Sequence, residues 1–176
     1  MASVDHPIEI IPVSAKDFPL EALSELLSDC VNQGASIGFL APCERSVSMS
    51  YWNALKHSLN DDLLLWVAST QGRVVGTIQL SCCTKANGLH RADVQKLMVS
   101  TASRGKGIAQ QLLARLESAA QQKGIRLLVL DTETGSKAEA LYARWGWQRA
   151  GQIPDFAASP FGELRPTTLY YKHLPG

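Results

Sequence analysis

Arg104, Gly105, Lys106 and Gly107 stand in a row between a strand-like run and the start of a long amphipathic segment. A helix start carries backbone N–H groups with no intrahelical partner, and the aligned peptide dipoles add partial positive charge there. Glycines let several of those N–H groups turn toward one anion and let the anion come close, forming a nest. With Arg104 and Lys106 at the rim, the chemistry of this junction is anion binding, and a diphosphate suits it better than a lone carboxylate. A Walker-type phosphate loop is excluded, because Gly107 is followed by Ile108. A dinucleotide fingerprint fails at Gln110, where its third glycine would stand. The plain alternative is a tight turn with solvated cations.

Three carboxylates form a second set. Asp131 closes the apolar run Leu127-Leu-Val-Leu130, at the carboxyl end of a central strand, where open α/β sheets collect ligands. Asp93 opens the alternation of the run before the glycine junction, and Glu133 follows Asp131 by two residues. A carboxylate partly withdrawn from water holds a proton more readily than a free one, so it can act as a base, directly or through water. The plain alternatives are a helix N-terminal acid for Glu133 and an ion pair with Arg91 or Lys96 for Asp93. His90 lies in the same region but on a turn, and ranks below the acids.

These groups need a scaffold, and hydrophobic periodicity describes one. Strand patterns cover residues 8–13, 63–69, 74–82, 92–100, 127–130, 147–153 and 167–173; helical patterns cover 14–30, 43–59, 108–123 and 136–145. Thr70-Gln-Gly-Arg73 is a hairpin signal. The unbroken apolar character of 127–130 is that of a strand covered on both faces. Residues 31–42 and 154–166, marked by Gly and Pro, read as loops. The order β-α-α-β-β-β-α-β-α-β-β predicts an α/β fold with a mixed sheet, in a single domain over 1–176.

Of the 176 residues 45% are apolar, enough for a sizeable core, and a net charge of +1 announces neither a nucleic-acid nor a membrane partner. The longest apolar run, 63–68, is far short of the ~20 residues that cross a bilayer. The N-terminus has no basic head followed by an apolar core, so no secretory signal is expected and the expected location is cytoplasmic. Cys30, Cys43, Cys82 and Cys83 lack metal-ligand spacing; buried free thiols and no metal are the expectation.

Arg104, Gly107 and Ala109 match the (Arg/Gln)-x-x-Gly-x-(Gly/Ala) pattern of the GNAT superfamily of acyl-CoA-dependent N-acetyltransferases, placed as in that family between a central strand and a long helix. Residues 136–147 resemble the family's downstream helix, Ala-x-x-Leu-Tyr-x-x-x-Gly-aromatic, through Ala138, Leu141, Tyr142, Gly146 and Trp147. The resemblance is close over 74–153 and extends to the rest by element order. It implies the GNAT fold: a mixed, mostly antiparallel seven-stranded sheet with about four helices and a splayed central strand pair. It also implies acetyl-CoA as cosubstrate. Arg104, Gly105, Lys106, Gly107, Ile108 and Ala109 would hold the diphosphate, and main-chain groups of Leu97, Met98 and Val99 the pantetheine arm. Where many relatives have an Asn facing that arm this chain has Gly135, with Ser136 or a backbone group as the substitute.

Acetyl transfer to an amine requires a neutral nitrogen, a donor for negative charge on the carbonyl oxygen and a proton for the departing thiolate. The resemblance assigns that proton to Tyr142, otherwise a core aromatic; the Val99 N–H is the candidate oxygen donor. An ammonium of pKa about 10 must first lose its proton. Asp131 is the favoured base, with Asp93 assisting and Glu133 as the remaining choice.

Ile153-Pro154, Pro160-Phe161-Gly162 and Leu169-Tyr170-Tyr171-Lys172 resemble the ending of tabtoxin-resistance-type acetyltransferases. This implies a small-molecule amine acceptor, a toxin or antibiotic such as a β-lactam dipeptide, attacked directly in a ternary complex by a monomer or homodimer. The three acids favour a cationic acceptor. Two readings stay open beside it. Acetylation of a protein N-terminus or lysine would need an open groove rather than a pocket covered by 154–166. A non-catalytic acyl-CoA sensor would keep the glycine junction but could dispense with Tyr142 and the acids.

Overall fold

The computed structural model describes residues 6–176; residues 1–5, part of the stretch read for a signal, lie outside it. In chain order it holds β1 (Glu9–Pro12), α1 (Leu20–Asn32), α2 (Arg45–Ser58), β2 (Leu63–Thr70), β3 (Arg73–Cys82), β4 (Arg91–Val99), α3 (Ile108–Gln122), β5 (Leu127–Glu133), α4 (Lys137–Arg144), β6 (Gln148–Ala158) and β7 (Leu164–His173). Seven strands form one sheet in the order β1-β2-β3-β4-β5-β7-β6. Every neighbouring pair is antiparallel except β4–β5, which is parallel.

Side chains alternate across a strand, and β2 shows what each face is for. Leu65 and Val67 join a core with Leu23, Leu27 and Trp52 of α1 and α2. Trp66 and Ala68 join the other, with Ile108, Leu112 and Leu116 of α3 and Tyr142 of α4. Both faces of the sheet are thus covered, which is why 63–68 has no polar phase. Each fully buried Leu contributes about 1.5–3 kcal/mol relative to an exposed one.

Several boundaries differ from the sequence expectation. α1 starts at Leu20, not at 14, because Pro19 stands at its N-cap and disfavours helical geometry in the residue before it. β5 runs on to Glu133, since β7 supplies partners throughout: Asp131 faces Leu169 and Glu133 faces Thr167. Asp131 therefore lies within the strand. Leu128 and Leu130 are buried but Leu127 and Val129 only half-buried, so β5 is fully covered on one face alone.

Most of 154–166 is strand rather than loop, belonging to a β6–β7 hairpin turned by residues 159–163. Pro154 cannot donate to a ladder, and a register shift between Ile153 and Ala157 absorbs it, with Asp155 at φ 50°.

The central pair splays as the family resemblance implies. β4 and β5 pair only from Arg91 opposite Leu127 to Asp93 opposite Val129. Beyond that, β4 runs to Val99 and β5 to Glu133 without pairing to each other.

Candidate active site

After β4 a single 3-10 turn, Thr101–Ser103, leads into Arg104. Gly105 and Gly107 then take φ of 79° and 75°, and Gly107 is the N-cap of α3. No side chain caps that helix. A Cβ added to either glycine would meet nothing within 4 Å, so the space in front of the helix tip is open. Arg104 and Lys106 are exposed beside it, whereas the Ile108 side chain is buried in the α3 core and leaves only its main chain to a ligand. The left-handed φ values, the open cradle and the uncapped N–H groups fit a diphosphate.

The nest is tied to α1. Asp29, in the last turns of that helix, accepts hydrogen bonds from the Thr101 N–H and Oγ1. One residue on, the Cys30 thiol donates to the Val99 carbonyl at 3.4 Å. Burial, then the Asp29 charge, push that thiol up to about 11, so it is a protonated structural group. All four cysteines are free.

Of the three residues assigned to the pantetheine arm, Met98 puts its side chain in the α1/α2 core, while Leu97 and Val99 are half-buried against the α3 core. Their main chain borders the splay. Between Thr77 opposite Met98 and Gln79 opposite Gln95, two residues of β4, Lys96 and Leu97, face Ile78 alone; this bulge holds Lys96 at φ 52°.

Tyr142 comes from α4, on the far side of the sheet from α1 and α2. It is buried among Trp145, Trp147 and Tyr170, with ring centroids 6.1, 5.8 and 6.2 Å away. Burial, helped by the charge of Asp131, pushes its hydroxyl up to about 12. Asp131 accepts a hydrogen bond from Thr167 Oγ1 at 2.9 Å. By strand alternation Asp93, Val129 and Asp131 share the face opposite Leu128 and Leu130. Burial raises the Asp93 pKa, with Arg91 lowering it and Asp131 raising it further.

A family model described as acetyltransferase (GNAT) domain matches residues 61–149. The chain belongs to the GNAT acetyltransferase family. It is 32% identical over 120 residues to N-acetyltransferase 8F1 of Rattus norvegicus, covering 65% of this chain and 51% of that protein. The chain spans about half the length of the curated relatives it matches. In fold it resembles an N-acetyltransferase from Staphylococcus aureus Mu50, with a TM-score of 0.78 and 20% identity over 96% of this chain and 99% of that one. It also resembles yncA of Salmonella typhimurium, whose structure holds its cofactor acetyl-CoA, with a TM-score of 0.76 and 20% identity over 97% of this chain and 95% of that one.

The remaining GNAT expectations divide in two. Ser136 is engaged as the N-cap of α4, its Oγ accepting from the Glu139 N–H at 3.2 Å, with Thr132 Oγ1 3.4 Å away. Glu133 is paired with Arg165 at 3.4 Å. Both lie at the mouth of the splay, but each is already committed to the protein. His90 lies at the start of β4, the opposite end from the splay, with Arg126 and His173.

Beyond Asp131 a small cleft of about 40 Å³ is lined by Ser36, Thr132, Glu133, Phe156, Arg165 and Thr167, among others. The 33–44 loop closes against the hairpin tip through the Ala41 N–H, which donates to the Pro160 carbonyl at 2.8 Å. Sequence reasoning missed several groups at this candidate site: Lys96 with Tyr51, the Thr167 hydroxyl bonded to Asp131, and the Asp29–Thr101 tie. Only Lys96 had a signal, since Gln95-Lys96 breaks the alternation of β4 by placing two polar residues side by side.

Proposed function

We propose that the chain is an acyl-CoA-dependent N-acetyltransferase that moves an acetyl group from acetyl-CoA to the amine of a small molecule. The acceptor class is a toxin or antibiotic amine, as the C-terminal likeness to tabtoxin-resistance-type enzymes suggests. One observation carries the transferase reading: a buried tyrosine and an acidic pair approach the same strand splay from opposite faces, just beyond an open anion nest. A bare sensor needs only the nest. The tie between the 33–44 loop and the hairpin tip closes one side of the cleft, which favours a compact acceptor over an extended peptide.

Acetyl-CoA, when bound, supplies the acetyl group as a thioester. Residues 104–109 would hold its diphosphate, and the main chain of Leu97, Met98 and Val99 its arm. Asp131, kept in place by Thr167 and flanked by Asp93, takes a proton from the acceptor ammonium and leaves the nitrogen lone pair free. The Val99 N–H offers a donor to negative charge on oxygen. Tyr142 keeps its proton up to about pH 12 and has it available for a sulfur anion. A relay through Cys30 is disfavoured, because its thiol is protonated and committed to the Val99 carbonyl. Free thiol is measured after mixing protein, acetyl-CoA and a panel of amino-bearing toxins, amino acids and polyamines. Coenzyme binding without thiol release from any of them would point to the sensor.

A further inference from the structure

Lys96 is a cation set into the α1/α2 side of the sheet and belongs to no ion pair among the described residues. The β4 bulge holds it at φ 52°, a left-handed conformation that is unfavourable for a lysine and persists only where the surroundings impose it. Its ammonium stands 5.7 Å from the centroid of the Tyr51 ring on α2. Tyr51 is itself held, donating its hydroxyl to Gln79 Oε1 at 2.9 Å, and Gln79 is buried. On the loop side, a Cβ at Gly38 would lie 3.6 Å from Lys96 Nζ. The ion pairs among the described residues, Arg45–Glu21, Arg165–Glu133 and Lys172–Glu117, leave Lys96 out.

Burial pulls the proton affinity of Lys96 down and the charge of Asp131 pushes it back up, so the two side chains feel one another across the splay. A half-buried ammonium loses hydration that a ring face returns only in part. An anion arriving with a ligand would recover the rest. With Glu133 paired to Arg165, this face presents an acidic pair and, across the splay, a cation that is in no ion pair among the described residues. A polyamine would gain from the first and be repelled by the second.

We infer that Lys96 docks a carboxylate carried by the acceptor, so that the acceptor is an amino acid or short peptide whose amine meets Asp131 and whose acid meets Lys96. The inference rests on the reading of the chain as a small-molecule N-acetyltransferase. Lys96 is a positioning and specificity residue, not a group that reacts.

The test follows thiol release with matched pairs, free amino acids and dipeptides against their C-terminal amides, with spermidine as a polycation. Wild type, Lys96→Met and Lys96→Arg are compared, with melting temperature as the folding control. Wild type is expected to favour acids over amides by about tenfold in kcat/KM, through KM. Lys96→Met is expected to raise KM for acids by that factor, leave kcat and the amide KM within about twofold, and erase the preference. Lys96→Arg restores it. Equal use of acids and amides by wild type overturns the inference while the transferase stands, as does a preference that survives in Lys96→Met. The wild-type comparison decides the matter even if Lys96→Met fails to fold. Acetyl-CoA binding with no release from any amine overturns the transferase reading and this inference with it.

Discussion

The Asp29 carboxylate on α1 accepts two hydrogen bonds from Thr101, 72 positions along the chain, one from its N–H and one from its Oγ1, both at 3.0 Å. Thr101 opens the turn that delivers Arg104 and the two glycines, so α1 sets where the nest stands. Charge-assisted bonds of this kind are worth about 1.5–3 kcal/mol together with the cost of orphaning their partners. Asp29→Ala is expected to raise KM for acetyl-CoA about fivefold through a less ordered loop, with kcat nearly unchanged. Steady-state kinetics with varied acetyl-CoA reads this, and an unchanged KM refutes it.

At Gly107 a side chain is opposed by the backbone rather than by crowding. Its φ is 75° and a Cβ would stand in open space, the space a bound diphosphate would use. Gly107→Val forces a β-branched residue into left-handed geometry, at about 1–2 kcal/mol, and fills the cradle. Calorimetric titration with coenzyme A should show affinity down by about tenfold or more. Undiminished affinity would move the diphosphate away from this tip.

Gly76 makes the opposite case. A Cβ there would lie 3.0 Å from the Met98 carbonyl oxygen and 3.1 Å from Leu112 Cδ1, where α3 packs on β3. Gly76→Ala overfills that contact and is expected to cost about 1–3 kcal/mol. A lower urea midpoint with an unchanged slope is the readout.

Tyr142→Phe should reduce kcat by about 10²-fold if the hydroxyl supplies the proton, while KM for acetyl-CoA stays within about twofold. Stability should change little, since the ring packing of Tyr142 survives. Unchanged turnover would hand the proton to water.

The pH profile separates base from acid. A carboxylate base works only when ionised, so kcat falls as pH drops through its pKa. Burial and the neighbouring Asp131 raise that of Asp93, which places this limb above the ordinary aspartate value of about 3.9 if Asp93 governs it. Asp93→Asn should then move the acidic limb. Tyr142 should contribute no alkaline loss until about pH 12.

How far this was legible in the sequence depends on what fixes each feature. The nest could be read because its chemistry is local: two glycines and two cations at a helix start. The splay came with the family pattern, and no local signal marks it, for it is defined by pairing that stops. Residues 154–166 were misread because Pro and Gly weigh heavily in local reasoning, while long-range pairing with β7 decided the outcome. Asp131 could be named as a candidate from its place after an apolar run, yet Thr167, which hydrogen-bonds it, lies 36 residues away and is brought near by the pairing of β5 with β7. Lys96 left a trace in the broken alternation of β4, but only the packing of α2 and the 33–44 loop shows where its ammonium goes.

The Ala41–Pro160 hydrogen bond joins a loop from the first quarter of the chain to a hairpin near its end, and neither segment contributes to the glycine cradle. Under the proposed function, drift in those two rims would retune which nitrogen compound is admitted and leave the grip on the activated donor untouched. Appetite and engine would then be separately heritable in this architecture.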